Sequence, residues 1–179
     1  MITLVLGGTR SGKSEVAERL ATAAAGDGPV TYVATGSAAG DADMAGRIAR
    51  HRARRPAAWV TVEAGPGADL GSVVAGLAGT VLVDSLGTWV AGCADLAADG
   101  ALLCATLAAR PGATVVVSEE VGLGVHAPTE VGRRFADALG ELNRAVAAVA
   151  DRVLLVVAGR VLPLDRPADL DLGPGAGPE

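Results

Sequence analysis

Residues Gly7-Gly8-Thr9-Arg10-Ser11-Gly12-Lys13-Ser14 spell an uninterrupted G-x-x-x-x-G-K-[ST] phosphate loop, and Lys13 is the only lysine among 15 basic residues. A chain that otherwise uses arginine keeps a lysine where a guanidinium will not serve. A compact ammonium fits between the β- and γ-phosphates inside a tight backbone loop, and a planar guanidinium is too wide. The glycines let backbone amides turn inward as an anion nest, the following helix N-terminus adds partial positive charge, and the Ser14 hydroxyl can ligate Mg²⁺. The chemistry expected is nucleoside triphosphate binding.

Two further groups carry chemistry. Thr80-Val81-Leu82-Val83-Asp84 is an apolar run ending in a carboxylate, the form of a Walker B element, which makes Asp84 the expected magnesium partner of Ser14. A strand-terminal Asp also serves as a helix cap or turn former. Glu119 and Glu120 end the next apolar run and offer a competing pair, one of which could act as base or second metal ligand. The other group is Arg47-Ile48-Ala49-Arg50-His51-Arg52-Ala53-Arg54-Arg55-Pro56, with five arginines around one of two histidines. With Asp41 or Asp43 as cap, this fits an ordinary exposed helix end whose basic residues complement the macrodipole. It also fits a clamp for a triphosphate, in which the arginines disfavour imidazolium and keep His51 neutral and nucleophilic. His126 stands in a glycine-rich loop and reads as a residue near the substrate.

Such groups need a scaffold that brings them together. Short β-rich runs at 2–6, 30–34, 59–62, 80–83, 113–118 and 152–157 alternate with helical stretches at 14–25, 42–54, 69–77, from the turn after 83 to about 109, and at 129–149. The runs at 114–117 and 153–157 do not alternate apolar with polar, as expected of strands covered on both faces. This predicts an α/β fold of the P-loop NTPase-like type, a mostly parallel sheet flanked by helices on both faces. Ligands in such sheets bind beyond the carboxyl ends of the strands. The residues at those ends are the phosphate loop, Thr35-Gly36, Glu63, Asp84-Ser85 and Ser118-Glu119-Glu120. Residues 1–162 read as one nucleotide-binding domain and 163–179 as a loose Pro/Gly-rich tail.

Composition narrows the function. A net charge of −5 and four aromatic residues argue against a nucleic-acid partner. Cys93 and Cys104 lack C-x-x-C spacing and suit buried thiols in a reducing cytoplasm. No apolar stretch approaches the roughly 20 residues of a membrane span, and no secretion signal is legible. A soluble, cytoplasmic protein is expected. With its one lysine in the phosphate loop, the chain cannot hold the Asn-Lys-x-Asp guanine motif of small GTPases, and Ser85 rather than Glu follows Asp84, unlike most DNA-handling P-loop ATPases. A metabolic transferase is favoured.

The chain resembles the bifunctional adenosylcobinamide kinase/adenosylcobinamide-phosphate guanylyltransferases of cobalamin biosynthesis, from residue 2 to about 162. The phosphate loop, Tyr32-Val33-Ala34-Thr35-Gly36, residues 43–56, Val83-Asp84-Ser85-Leu86, Glu120-Val121-Gly122-Leu123-Gly124, Arg134-Phe135-Ala136-Asp137, Leu142-Asn143 and 153–159 carry it. The Arg-Ile-x-x-His-Arg-x-x-Arg-Pro element with Glu-Val-Gly-x-Gly is its specific part. The resemblance implies that His51 attacks the α-phosphate of GTP and carries GMP as a phosphoramidate. It further implies GMP transfer to adenosylcobinamide phosphate, after a kinase step that uses ATP or GTP on adenosylcobinamide. Thr35, Gly36, Arg52, Ala53, Arg54, Arg55, Glu63 and Asp84 are then expected around the nucleotide, with Mg²⁺ on Ser14 and Asp84. A small homo-oligomer, typically a trimer, is also implied. Glu119 departs from the family's usual Asn, and Ser85 from a frequent Cys. The competing classes are another small-molecule P-loop kinase and a non-catalytic nucleotide-binding regulator; the Arg-His-Arg element separates them from this reading.

Lys13→Arg keeps the charge and changes its shape. Both transfer activities are expected to fall by at least about tenfold, measured as steady-state turnover with saturating nucleotide; near-parental rates would refute a bridging ammonium.

Overall fold

The computed structural model describes residues 1–36, 46, 48–49 and 52–166. Its strands are β1 (Ile2–Gly7), β2 (Val30–Ala34), β3 (Val60–Glu63), β4 (Thr80–Asp84), β5 (Thr114–Glu119), β6 (Arg152–Val157) and β7 (Arg160–Pro163). Between them run α1 (Lys13–Ala25), α2 (Leu70–Ala75), α3 (Leu86–Gly92), a 3₁₀ turn at Ala94–Leu96, α4 (Gly100–Ala109) and α5 (Glu130–Val149). Of the helix expected over 42–54, residues 46, 48–49 and 52–54 are helical, and the rest, His51 included, lies outside the described residues.

The sheet order is β3-β2-β4-β5-β1-β6-β7, parallel from β3 to β6 and closed by antiparallel β7. The α/β, mostly parallel architecture read from the sequence is therefore present. Two features differ from it. β6 is not the last strand: the Ala158-Gly159 turn, both residues at positive φ, folds β7 back onto it, and Leu164 extends the contact by donating to the Val153 carbonyl. The expected helix at 69–77 is the single short α2, shortened at its end by Gly76 and started by Asp69, whose side chain accepts from the Ser72 amide.

Alternation along the buried strands sends neighbouring residues to opposite faces. Leu4 and Leu6 of β1, Val81 and Val83 of β4, and Val116 of β5 pack with Leu70, Val74, Leu86, Leu103, Leu107, Leu139 and Val146, the apolar sides of α2 to α5. Val5, Leu82, Val115 and Val117 face Ala17 and Ala21 of α1 instead. Each fully buried Leu or Val contributes about 1.5–3 kcal/mol of transfer free energy. Strands masked on both sides need apolar residues at every position, hence the continuous runs.

Close approach of α2 to α4 depends on Gly71. A Cβ there would stand 2.8 Å from Leu102 Cγ and 3.2 Å from the Leu102 carbonyl carbon. Gly→Ala in a helix ordinarily gains about 0.5–1 kcal/mol, whereas overpacking costs about 1–3 kcal/mol. Gly71→Ala is therefore expected to destabilise the fold by about 1 kcal/mol in urea unfolding, reversing the usual helical gain.

Candidate nucleotide site

The phosphate loop leaves β1 at Gly7 and enters α1 at Lys13. Its turn demands unusual backbone: Arg10 sits at φ 57° and Gly12 at φ 94°. Left-handed backbone at a non-glycine costs roughly 1–2 kcal/mol, so surrounding contacts must hold it. Gly159 in the β6–β7 turn donates to the Ser11 carbonyl at 2.8 Å, and Glu120 donates to the Gly7 carbonyl at 3.1 Å. Gly7 itself has no room for a side chain, because a Cβ would stand 2.5 Å from Ser11 Oγ and 2.8 Å from the Val156 carbonyl.

Register then decides what faces the loop. Gly7 pairs with Glu119 across β1–β5, and Ala34 pairs with both Glu63 and Asp84. Because β5 lies between β1 and β4, Glu119 stands between the loop and Asp84. Its carboxylate is 3.6 Å from Lys13 Nζ and accepts from Ser85 Oγ and the Gly87 amide at 3.0 Å. Asn143 of α5 donates to the Glu119 carbonyl at 3.0 Å, fixing the backbone as well. A Cβ on Gly87 would overlap the Glu119 carboxylate, so only glycine admits this arrangement. Lys13 Nζ also donates to the Gly8 carbonyl at 3.3 Å. The ammonium is thus pre-placed over the loop.

Asp84 ends β4 and lines the same cleft. The Tyr32 hydroxyl of β2 donates to its Oδ2 at 2.8 Å. Burial first, and the Asp84 charge second, hold the Tyr32 phenol far above its usual range, so it remains the donor. Thr35, buried after β2, accepts from the Ser85 amide at 2.7 Å and donates to the Ser85 carbonyl at 2.6 Å. Ser85 caps α3 in a capping box with Thr88.

The arginine segment closes the far wall. Arg52 pairs with Glu63 at 2.9 Å and Arg54 with Glu18 at 3.2 Å. The Arg55 guanidinium lies 3.3 Å from the Tyr32 ring centroid. Together with Thr9, Arg10, Ser11, Gly12, Ser14 and Gly36, these residues enclose a cleft of about 660 Å³, within the range of small-molecule sites. Of the residues expected around a nucleotide, Gly7 and Thr35 are buried beneath the wall, Gly8 contributes its carbonyl to Lys13, and Ala53 points to solvent beside Arg52 and Arg54. Tyr32, Thr88, Asn143 and Gly159 were not expected as site residues. Tyr32, Asn143 and Gly159 carried a signal only as members of segments on which the family resemblance rests; Thr88 carried none. Cys93 and Cys104 are free and half-buried away from the cleft, their thiols raised by burial.

A glycine loop between β1 and α1 with a carboxylate at the end of β4 defines a P-loop nucleotide-binding α/β protein. The solved flagellar accessory protein FlaH of Methanocaldococcus jannaschii shares this fold, with a TM-score of 0.50 at 14% identity over 89% of this chain and 74% of that one. The family profile of cobinamide kinase / cobinamide phosphate guanyltransferase matches residues 3–164. The bifunctional adenosylcobalamin biosynthesis protein CobP of Pseudomonas aeruginosa is 44% identical, over 92% of this chain and 97% of its own length. Its counterpart CobU of Salmonella typhimurium is 35% identical over 89% and 97%. The chain belongs to the cobinamide kinase / cobinamide phosphate guanyltransferase family. It is accordingly an enzyme of cobalamin biosynthesis, a kinase and nucleotidyltransferase with nucleoside triphosphates as substrates. No helix among the described residues is long and apolar enough to cross a membrane.

The Thr35 hydroxyl serves two buried backbone groups of Ser85. Thr35→Val removes these two bonds, although Thr88 Oγ1 at 3.3 and 3.0 Å and the Trp89 amide at 3.2 Å still reach the same groups; it is expected to cost about 1 kcal/mol in denaturant unfolding, whereas Thr35→Ser keeps the hydroxyl and should lose less.

Proposed function

We propose that GTP occupies this cleft with its phosphates on residues 7–14 and that His51 takes GMP from it. An imidazole nitrogen of His51 attacks the α-phosphorus; the P–N bond forms, the bond from the α-phosphorus to its bridging oxygen breaks, and pyrophosphate leaves with the electron pair. The imidazole proton passes to solvent. A phosphate oxygen of adenosylcobinamide phosphate then attacks the same phosphorus, the P–N bond breaks, and adenosylcobinamide-GDP departs with His51 restored. In the preceding kinase step the aminopropanol hydroxyl of adenosylcobinamide attacks the γ-phosphorus of ATP or GTP, and the nucleoside diphosphate leaves. The observation that carries this reading is one cleft lined both by Lys13 and by Arg52, Arg54 and Arg55, the residues that follow His51 in sequence.

The roles follow from charge. Lys13 and the loop amides hold the β- and γ-phosphates, while Arg52, Arg54 and Arg55 are close enough to stabilise charge on the departing pyrophosphate. Thr35, Gly36, Ala53 and Glu63 form the surrounding frame. Ser14 and Asp84 fit a magnesium ion: both are hard oxygen donors on the cleft wall. Among the described residues no three His, Cys, Asp or Glu converge as a protein-only cage, so an ion here takes its other ligands from phosphate and water, the habit of Mg²⁺. When bound, it neutralises phosphate charge. The family resemblance further supports a homotrimer working in the cytoplasm on a corrinoid substrate.

Incubation with α-labelled GTP and Mg²⁺ is expected to leave acid-labile, alkali-stable GMP on the protein, and His51→Ala should abolish the label. An unlabelled parent protein would sink the guanylyl-histidine intermediate.

A further inference from the structure

Tyr32 is the most deeply buried side chain touching the cleft, 2% exposed at the centre of β2. Two residues from the β3 side of the strand hold its ring. Trp59 lies with ring centroids 6.5 Å away at a tilt of 34°, and the Arg55 guanidinium covers the ring at 3.3 Å. Arg55 is itself anchored to β3, since Nη1 donates to Thr61 Oγ1 at 3.2 Å, while its buried Nε has no hydrogen-bond partner. The ring has one polar atom, and that atom is spent on Asp84 Oδ2 at 2.8 Å. A phenylalanine would fill the same apolar space among Val5, Ala17, Val30 and Leu82. Packing alone therefore does not explain the hydroxyl.

We propose that Tyr32 is a positioning residue for the phosphate-site metal: it orients the Asp84 carboxylate and ties that orientation to the arginine segment through Arg55. This rests on the assignment of Asp84 as a metal ligand under Proposed function. A carboxylate has about four lone-pair directions, and the Tyr32 hydroxyl, by donating to Oδ2, constrains how the Asp84 group turns toward the cleft. Donors that orient a ligating group commonly change metal affinity by about 10–100-fold. The guanidinium sets the ring plane by stacking on its face, so a shift of residues 52–55 moves the hydroxyl against Asp84. The segment that follows the nucleophile in sequence and the carboxylate that meets the metal then respond to each other through one ring.

The test titrates Mn²⁺ by its free-ion EPR signal, using saturating guanosine triphosphate analogue with a methylene α,β bridge, which resists attack at the α-phosphorus. Tyr32→Phe is expected to weaken Mn²⁺ binding about tenfold, with nucleotide affinity in EDTA within about twofold of parent. A purely structural loss would move both. Arg55→Ala should also weaken Mn²⁺, and should add little in the Tyr32→Phe background, because both act through one hydroxyl. If Asp84→Asn loses the metal while Tyr32→Phe binds it like the parent, the positioning role is overturned and the metal site stands. If Asp84→Asn also binds like the parent, the metal assignment itself falls, and the positioning role with it. Should Tyr32→Phe not fold, Arg55→Ala decides alone, a parental Mn²⁺ affinity overturning the proposal.

Discussion

The parallel backbone ladder running β2-β4-β5-β1 is the constraint on which the rest of this molecule depends. Parallel strands end on the same side, so the carboxyl ends of four strands open onto one edge of the sheet. Register along the ladder puts Gly7 beside Glu119 and Ala34 beside Asp84, and a slip of one residue would turn each of these side chains to the opposite face. The continuous apolar runs packed on both faces resist such a slip, because it would exchange the residues that meet α1 for those that meet α2 to α5. The geometry of the cleft is in that sense a consequence of core packing.

Within this frame the polar groups of the cleft are largely satisfied by one another. Glu119 takes hydrogen bonds from Ser85 and Gly87 and faces Lys13; Thr35 serves Ser85; Tyr32 serves Asp84. A preorganised array of this kind needs little rearrangement when charge arrives, the condition under which electrostatic stabilisation acts most strongly. The exposed pairs Arg52–Glu63 and Arg54–Glu18 are different. Surface ion pairs hold for only about 0–1 kcal/mol, so a phosphate can recruit these guanidinium groups at small cost. One wall of the cleft is rigid, and the other is readily re-paired.

The strained phosphate loop shows the same division of labour. Arg10 and Gly12 adopt left-handed backbone, and the β6–β7 turn holds the loop through Gly159 and Ser11. The last hairpin therefore supports the site from behind, although it contributes no side chain to the cleft wall.

Much of this was legible in the linear chain. The phosphate loop, the carboxylate after an apolar run at Asp84 and the strand-helix alternation are local patterns, since hydrogen-bonding periodicity and turn chemistry act over a few residues. The Arg-His-Arg element is equally local, and it carries the family resemblance. Other features had no local signal. That β5 inserts between β1 and β4, bringing Glu119 to Lys13, depends on which strands pair, a choice made by packing across the whole sheet. Nor do neighbouring residues announce that Gly87 must lack a side chain to admit a carboxylate 32 positions later, or that β7 returns to steady the loop. Residue types alone pointed to a nucleoside triphosphate site, and the class of chemistry came with the family resemblance that the Arg-His-Arg element carries. Only the tertiary structure decided which carboxylate faces the lysine and which ring holds Asp84, because those contacts join residues 106 and 52 positions apart, through a register no single segment encodes.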